Sequence, residues 1–193
     1  EFSGGIRADT ITGGAGADTL HGDNGADTIS GGGGIDNILG EAGDDIINGG
    51  DGADVIAGGA GADTITGGAG ADEFDYADGT TTVVTVAGAD TIKDFATGSD
   101  TIDVDGYSSV AAGTIVVEDG AALADFAAFV ARADATLDNV ATDEIYVAFN
   151  AFGTGDAYII ADTDGDGSFT VGDALIILTD INTATEIVAA DFI

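Results

Sequence analysis

Gly13-Gly14-Ala15-Gly16-Ala17-Asp18-Thr19-Leu20-His21 is the cleanest of eight nonapeptides that run without a gap from Gly4 to Asp75. Their common form is Gly-Gly-x-Gly-x-Asp-x-U-x, with U large and apolar. The sixth place holds Asp9, Asp18, Asp27, Asp36, Asp45, Asp54, Asp63 and Asp72. The eighth holds Ile11, Leu20, Ile29, Ile38, Ile47, Ile56, Ile65 and Phe74. The x places drift. A flexible Gly/Ala/Asp linker has no reason to keep U apolar in every copy, so the block is a repeated structural unit with a repeated ligand.

One nonapeptide can be read physically. Its glycine half tolerates positive φ and lets backbone carbonyls approach one another. The x-U-x half forms a very short strand with U inward. Three residues cannot hold a strand alone, so neighbouring copies must stack. Two nonapeptides then make one coil, with a strand on each side and a turn at each corner. Residues eighteen apart sit above one another, so Asp18, Asp36, Asp54 and Asp72 form one stack. Asp9, Asp27, Asp45 and Asp63 form the other. Carboxylates fall in register beside a collar of carbonyl oxygens from Gly14, Gly16, Gly25, Gly32, Gly34, Gly43, Gly50, Gly52, Gly59, Gly61, Gly68 and Gly70. Calcium takes six to eight oxygen ligands, whereas magnesium wants a smaller octahedron and keeps its water. The expected cofactor is therefore calcium, about six to eight ions by this reading.

Composition points the same way. The chain has 193 residues, 36 acidic side chains and three basic ones, for a net charge of -33. A compact state of that charge repels itself unless cations bind. Nucleic acid is excluded as a partner on sign. Arg7, Lys93 and Arg132 form no basic patch. Zero cysteine removes disulfides, zinc-thiolate sites and cysteine nucleophiles. No apolar run reaches membrane-spanning length, so no membrane insertion is expected. With no methionine in it, and with Glu1-Phe2 reading as a cloning remnant, the sequence is expected to be a C-terminal fragment.

The nonapeptides resemble the calcium-binding repeats of the RTX (repeats-in-toxin) family. That resemblance implies a parallel β-roll, a right-handed β-helix with calcium in its turns. It also implies export by a bacterial type I system that reads an uncleaved C-terminal signal. Arg7 departs from the pattern by replacing a turn glycine, which should weaken the first site. Asp23, Glu41 and Asp51 replace turn positions too, and Asp44 adds a carboxylate beside Asp45.

Residues 1–75 thus form the expected roll, and residues 76–193 a β-rich capping and secretion-signal region. Thr82–Val86, Glu144–Phe149 and Ala157–Ile160 read as strands, and Ala174–Leu178 as strand or helix. Ala121–Leu137 is expected to be one short helix, with Leu123, Phe126, Val130 and Leu137 on one stripe. The segment from Asp90 to Asp103 resembles the turn that follows the roll in secreted RTX proteases. Asp90 and Asp100 there are candidates for one further ion, against a solvated hairpin. Residues 162–173 fit the EF-hand loop rule, with Asp162, Asp164, Asp166, Ser168 and Asp173 as ligands. Place twelve is Asp rather than Glu, as in dockerin-type loops; a plain acidic hairpin is the alternative. The ending Asp191-Phe192-Ile193 resembles type I secretion signals.

No catalytic residue is expected. His21 falls on the outer face, and no nucleophile elbow, phosphate loop or zinc motif occurs, so the fragment reads as a non-enzyme. The leading reading is a calcium-triggered folding and secretion module of a secreted, extracellular bacterial protein, whose transient partner is the type I machinery. The alternative is an adhesive or surface-layer module with a glycan partner, a cell-surface partner or self-association. Ice binding fits least, because the outward threonine row is broken by Asn37, Ile46 and Val55.

Overall fold

The computed structural model describes residues 1–76, 89–96, 99–103, 115–119, 145–149, 156–161 and 174–179. The expected strand at 82–86, helix at 121–137, calcium loop at 162–173 and C-terminal signal lie outside them.

Strands alternate between two sheets, as a period of two nonapeptides per coil requires. One sheet contains β1 (Phe2–Gly5), β3 (Thr19–Asp23), β5 (Asn37–Ala42), β7 (Val55–Ala60), β9 (Glu73–Asp75) and β11 (Thr101–Asp103), in that order. The other begins with β2 (Thr10–Ala15), β4 (Thr28–Gly33), β6 (Ile46–Asp51), β8 (Thr64–Ala69) and β10 (Asp90–Ile92). It continues through β15 (Ala174–Leu178), β14 (Ala157–Ala161), β13 (Ile145–Phe149) and β12 (Ile115–Asp119). Among the described residues there is no helix, and the chain is a mostly-β parallel solenoid.

The register is set by the U residues. Ile11 faces Ile29, then Ile47, then Ile65. Leu20 faces Ile38, then Ile56, then Phe74. All eight are buried, because a one-residue slip would turn every U side chain to solvent. The parallel ladders continue past Asp75. Ile92 pairs with Ile65, and Ile102 with Phe74, and both are fully buried. Phe95 covers the end, its ring centroid 5.9 Å from that of Phe74. Strand β15 runs parallel to β10 and antiparallel to β14. These partners settle Ala174–Leu178 as a strand. The same apolar cluster then runs from the U residues into Val147, Ile159, Ile176 and Leu178.

The two sheets also sort the outward threonines. Asn37 and Val55 stand in the sheet of β5 and β7, away from the threonines of β2, β4 and β8. That second sheet carries Thr10, Thr28, Ile46, Thr64 and Thr91 in one file, which Ile46 alone interrupts.

The second place of every nonapeptide has positive φ, from Gly5 at 113° to Gly68 at 108°. Two of the eight are not glycine: Asp23 (φ 68°) and Glu41 (φ 72°). A left-handed residue with a Cβ costs roughly 1–2 kcal/mol. Glu41 does accept a contact from His21, Nδ1 to Oε1 at 2.9 Å, but the pair is exposed and worth little. Glu41→Gly should therefore stabilise the calcium-loaded roll by about 1 kcal/mol. Denaturant midpoints in excess calcium measure it, and a lower midpoint would show that the His21 pair outweighs the strain.

Candidate metal centre

Parallel pairing at an eighteen-residue period carries each sixth-place aspartate to the same corner of the next coil. There its carboxylate bonds the backbone of the aspartate before it. The N–H of Asp9 donates to Asp27 Oδ1 at 2.7 Å, that of Asp27 to Asp45 at 2.7 Å, and that of Asp45 to Asp63 at 2.8 Å. In the other stack, Asp18 donates to Asp36 at 2.8 Å, Asp36 to Asp54 at 2.8 Å, and Asp54 to Asp72 at 3.0 Å. Asp90 and Asp100 extend different stacks. The N–H of Asp63 donates to Asp90 Oδ1 at 2.9 Å, and that of Asp72 to Asp100 Oδ1 at 3.1 Å.

One oxygen of each carboxylate is thus used. The other, Oδ2, is buried without a partner in Asp27, Asp36, Asp45, Asp54, Asp63, Asp72 and Asp90. Backbone carbonyls face these oxygens. A methyl placed on Gly22 would lie 2.5 Å from the Gly40 carbonyl oxygen and 2.7 Å from Asp27 Oδ2. One on Gly13 would lie 2.6 Å from the Gly31 oxygen and 2.8 Å from Asp18 Oδ2. The same two-oxygen cradle recurs at Gly4, Gly31, Gly40 and Gly49. These first-place glycines were not among the expected ligands. The signal was present: the first place is glycine in all eight copies, while the second and fourth admit Asp23, Glu41 and Arg7. The expected fourth-place carbonyls also stack, with a methyl on Gly34 falling 2.8 Å from the Gly16 oxygen. Among the described residues no three acidic or histidine side chains gather at one point, so any ion here must draw on oxygens beyond the carboxylates as well.

A family model for the RTX calcium-binding nonapeptide repeat matches residues 3–38, 30–65, 39–74 and 48–83. Residues 3–83 thus carry RTX calcium-binding repeats. Two solved structures are similar to the chain, both from the Azotobacter vinelandii mannuronan C5-epimerase. The AlgE6R3 subunit is 25% identical with a TM-score of 0.42, over 93% of this chain and 78% of its own. The AlgE6R2 subunit is 27% identical with a TM-score of 0.39, over 95% of this chain and 91% of its own. No curated protein matches the sequence.

The RTX corners suit calcium chemically. Their donors are hard oxygens, carboxylate and carbonyl, which calcium prefers. The buried charge also needs a counter-ion: Arg7 and Lys93, the described cationic side chains, are both exposed. Burial pushes the carboxyl of Asp45 up to about 6, with Asp27 and Asp44 adding repulsion. Burial does the same to Asp63, again to about 6, with Asp45 and Asp44 adding to it. Asp54 and Asp72 are raised chiefly by burial. Asp90 is pushed up to about 8, first by burial and then by the Asp63 charge. A bound calcium would reverse these shifts by favouring the ionised form.

Two expectations follow from this geometry. Asp36 latches Asp18 and faces the Gly49 carbonyl oxygen. Among the described residues no N–H donates to the carboxylate of Asp9. Asp36→Ala should therefore raise the calcium midpoint of folding several-fold, and Asp9→Ala much less; equal shifts would contradict the stack. The second concerns pH. In chelator the folded state holds these protons more tightly than the unfolded state, where the carboxyls sit near 3.8. The ionisation penalty is absent below 3.8, grows through about 6 for Asp45 and Asp63, and is complete above about 8 for Asp90. Residual β structure in chelator should rise as pH falls through that window, while calcium affinity falls. Calcium titrations followed by circular dichroism at several pH values check both signs.

Proposed function

We propose that the chain is a calcium-triggered folding module of a longer secreted bacterial protein, disordered at low calcium and ordered outside the cell. The observation that carries this is the file of buried Oδ2 atoms without partners, in a chain of charge -33. Each such oxygen costs stability until a cation meets it. The eighth-place side chains supply one large apolar group per half-turn, too thin a core to offset that repulsion alone. About six ions fit this reading, one for each cradle between Gly4 and Gly49.

The same proposal assigns the rest of the chain. Strands β10 and β11 act as a fifth coil, so the roll runs to Asp103. Strands β12 to β15 act as a cap on one sheet. In support, β15 occupies the hydrogen-bonding edge of β10, an edge that would otherwise expose unpaired groups. Asp94 closes a corner by accepting the N–H groups of Gly67 and Gly68, both at 2.9 Å. Each aspartate secures the coil before it, so order spreads from the cap toward residue 1. Export through a type I system, C-terminus first, would suit that direction.

Far-ultraviolet circular dichroism of the full chain in EDTA, then with calcium added, tests the function. β structure should appear at about 10⁻⁴–10⁻³ M calcium, the range of extracellular modules, and magnesium should do far less. Equal β signal in EDTA and calcium would reject the reading. A chain ending at Asp75 should stay disordered in calcium that folds the whole; folding at an unchanged midpoint would reject the cap.

A further inference from the structure

The two aspartate stacks end differently. In the stack of Asp72, the last carboxylate is satisfied: Asp100 Oδ2 accepts the N–H of Ala96 at 2.8 Å, and Oδ1 accepts that of Asp72. In the stack of Asp63, the last carboxylate is not. Asp90 is fully buried, and its Oδ2 has no partner.

The residue beside it breaks a rule kept everywhere below. Val55 pairs with Glu73 and Ile56 with Phe74, and two residues after Phe74 the nine-residue frame puts Tyr76 at a first place, that of the fifth coil. The eight first places before it are all glycine. A Cβ there points at the carboxylate of its own coil; on Gly58 it would lie 2.5 Å from Asp63 Oδ2. Tyr76 sends a phenol along that direction. Its side chain is 3% exposed, and its hydroxyl lies toward the Asp90 carboxylate, close enough to interact with it but short of hydrogen-bond geometry. Three buried oxygens, from Asp63, Asp90 and Tyr76, are therefore left without partners at one end of one stack.

We propose that Asp63, Asp90 and Tyr76 hold a calcium ion of their own, with the phenol oxygen standing in for the glycine carbonyl oxygen that faces the carboxylate at lower corners. The donor set is hard oxygen throughout, and a divalent ion neutralises two carboxylates that no described cationic side chain reaches. The site rests on the calcium reading above, and it is a terminal one: it closes the roll instead of joining two nonapeptides.

Equilibrium dialysis of the full chain against radioactive calcium counts the ions. Tyr76→Phe keeps the ring and removes only the ligand, so it should bind one ion fewer than the unchanged chain, with the same β signal at saturation. Tyr158→Phe, a buried tyrosine in β14, should bind the full number. Terbium in place of calcium gives a second readout. Emission excited through tyrosine should be largely lost in Asp90→Asn, which leaves Tyr76 in place. An unchanged count in Tyr76→Phe, or unchanged terbium emission in Asp90→Asn, overturns the site and leaves the module's calcium dependence standing. An unchanged chain that binds no ion overturns both.

Discussion

The fold depends on one hydrogen bond made over and over. The backbone N–H of each stacked aspartate donates to the side chain of the aspartate one coil later. Strand pairing alone would leave these N–H groups at the corners, where the ladder is interrupted. A carboxylate is the strongest neutral-pH acceptor the chain can offer them. The bond has a direction. An aspartate fastens the coil on its amino side and is itself fastened by the one on its carboxyl side.

That arrangement divides each carboxylate between two tasks. Oδ1 belongs to the backbone and fixes where the group stands. Oδ2 is left facing the first-place glycines, whose missing side chains make room for it. The structural bond therefore positions the metal ligand, and a glycine replaced by alanine would disturb both. A buried charge held this way is a liability without an ion and an asset with one. The calcium response proposed above is the difference between these two conditions.

Much of this was legible in the sequence because the physics is periodic. U residues and aspartates recur every nine places, and parallel stacking turns that period into columns. Legibility failed where the period broke. Asp90 lies eighteen residues after Asp72, so spacing alone assigns it to that stack; the structure places it over Asp63, twenty-seven residues away. An extra stretch between Tyr76 and Ala89 shifts the column. The Asp-Thr-Ile runs at Asp90 and Asp100 repeat the one at Asp63, each with a glycine two places before the aspartate, but they lack the first-place glycine that opens every copy. The first-place glycines were overlooked for the opposite reason. Glycine is common throughout the block, and its invariance at the first place reads equally well as room for a tight turn, so it does not by itself mark a ligand. The strands at 145–149, 157–161 and 174–178 were marked by β-branched and aromatic runs, yet nothing local said that β15 would meet β10.

The direction of the latches carries a further consequence. Each carboxylate fastens the coil on its amino side, so a coil on the amino side of the roll can be gained or lost without loosening any coil that follows it. Unequal recombination among near-identical nonapeptides would then change copy number freely at this end, in pairs that preserve the two-sheet phase. The carboxyl end has no such freedom, since everything upstream hangs from it. Roll length in such a chain is an inherited variable; its terminus is not.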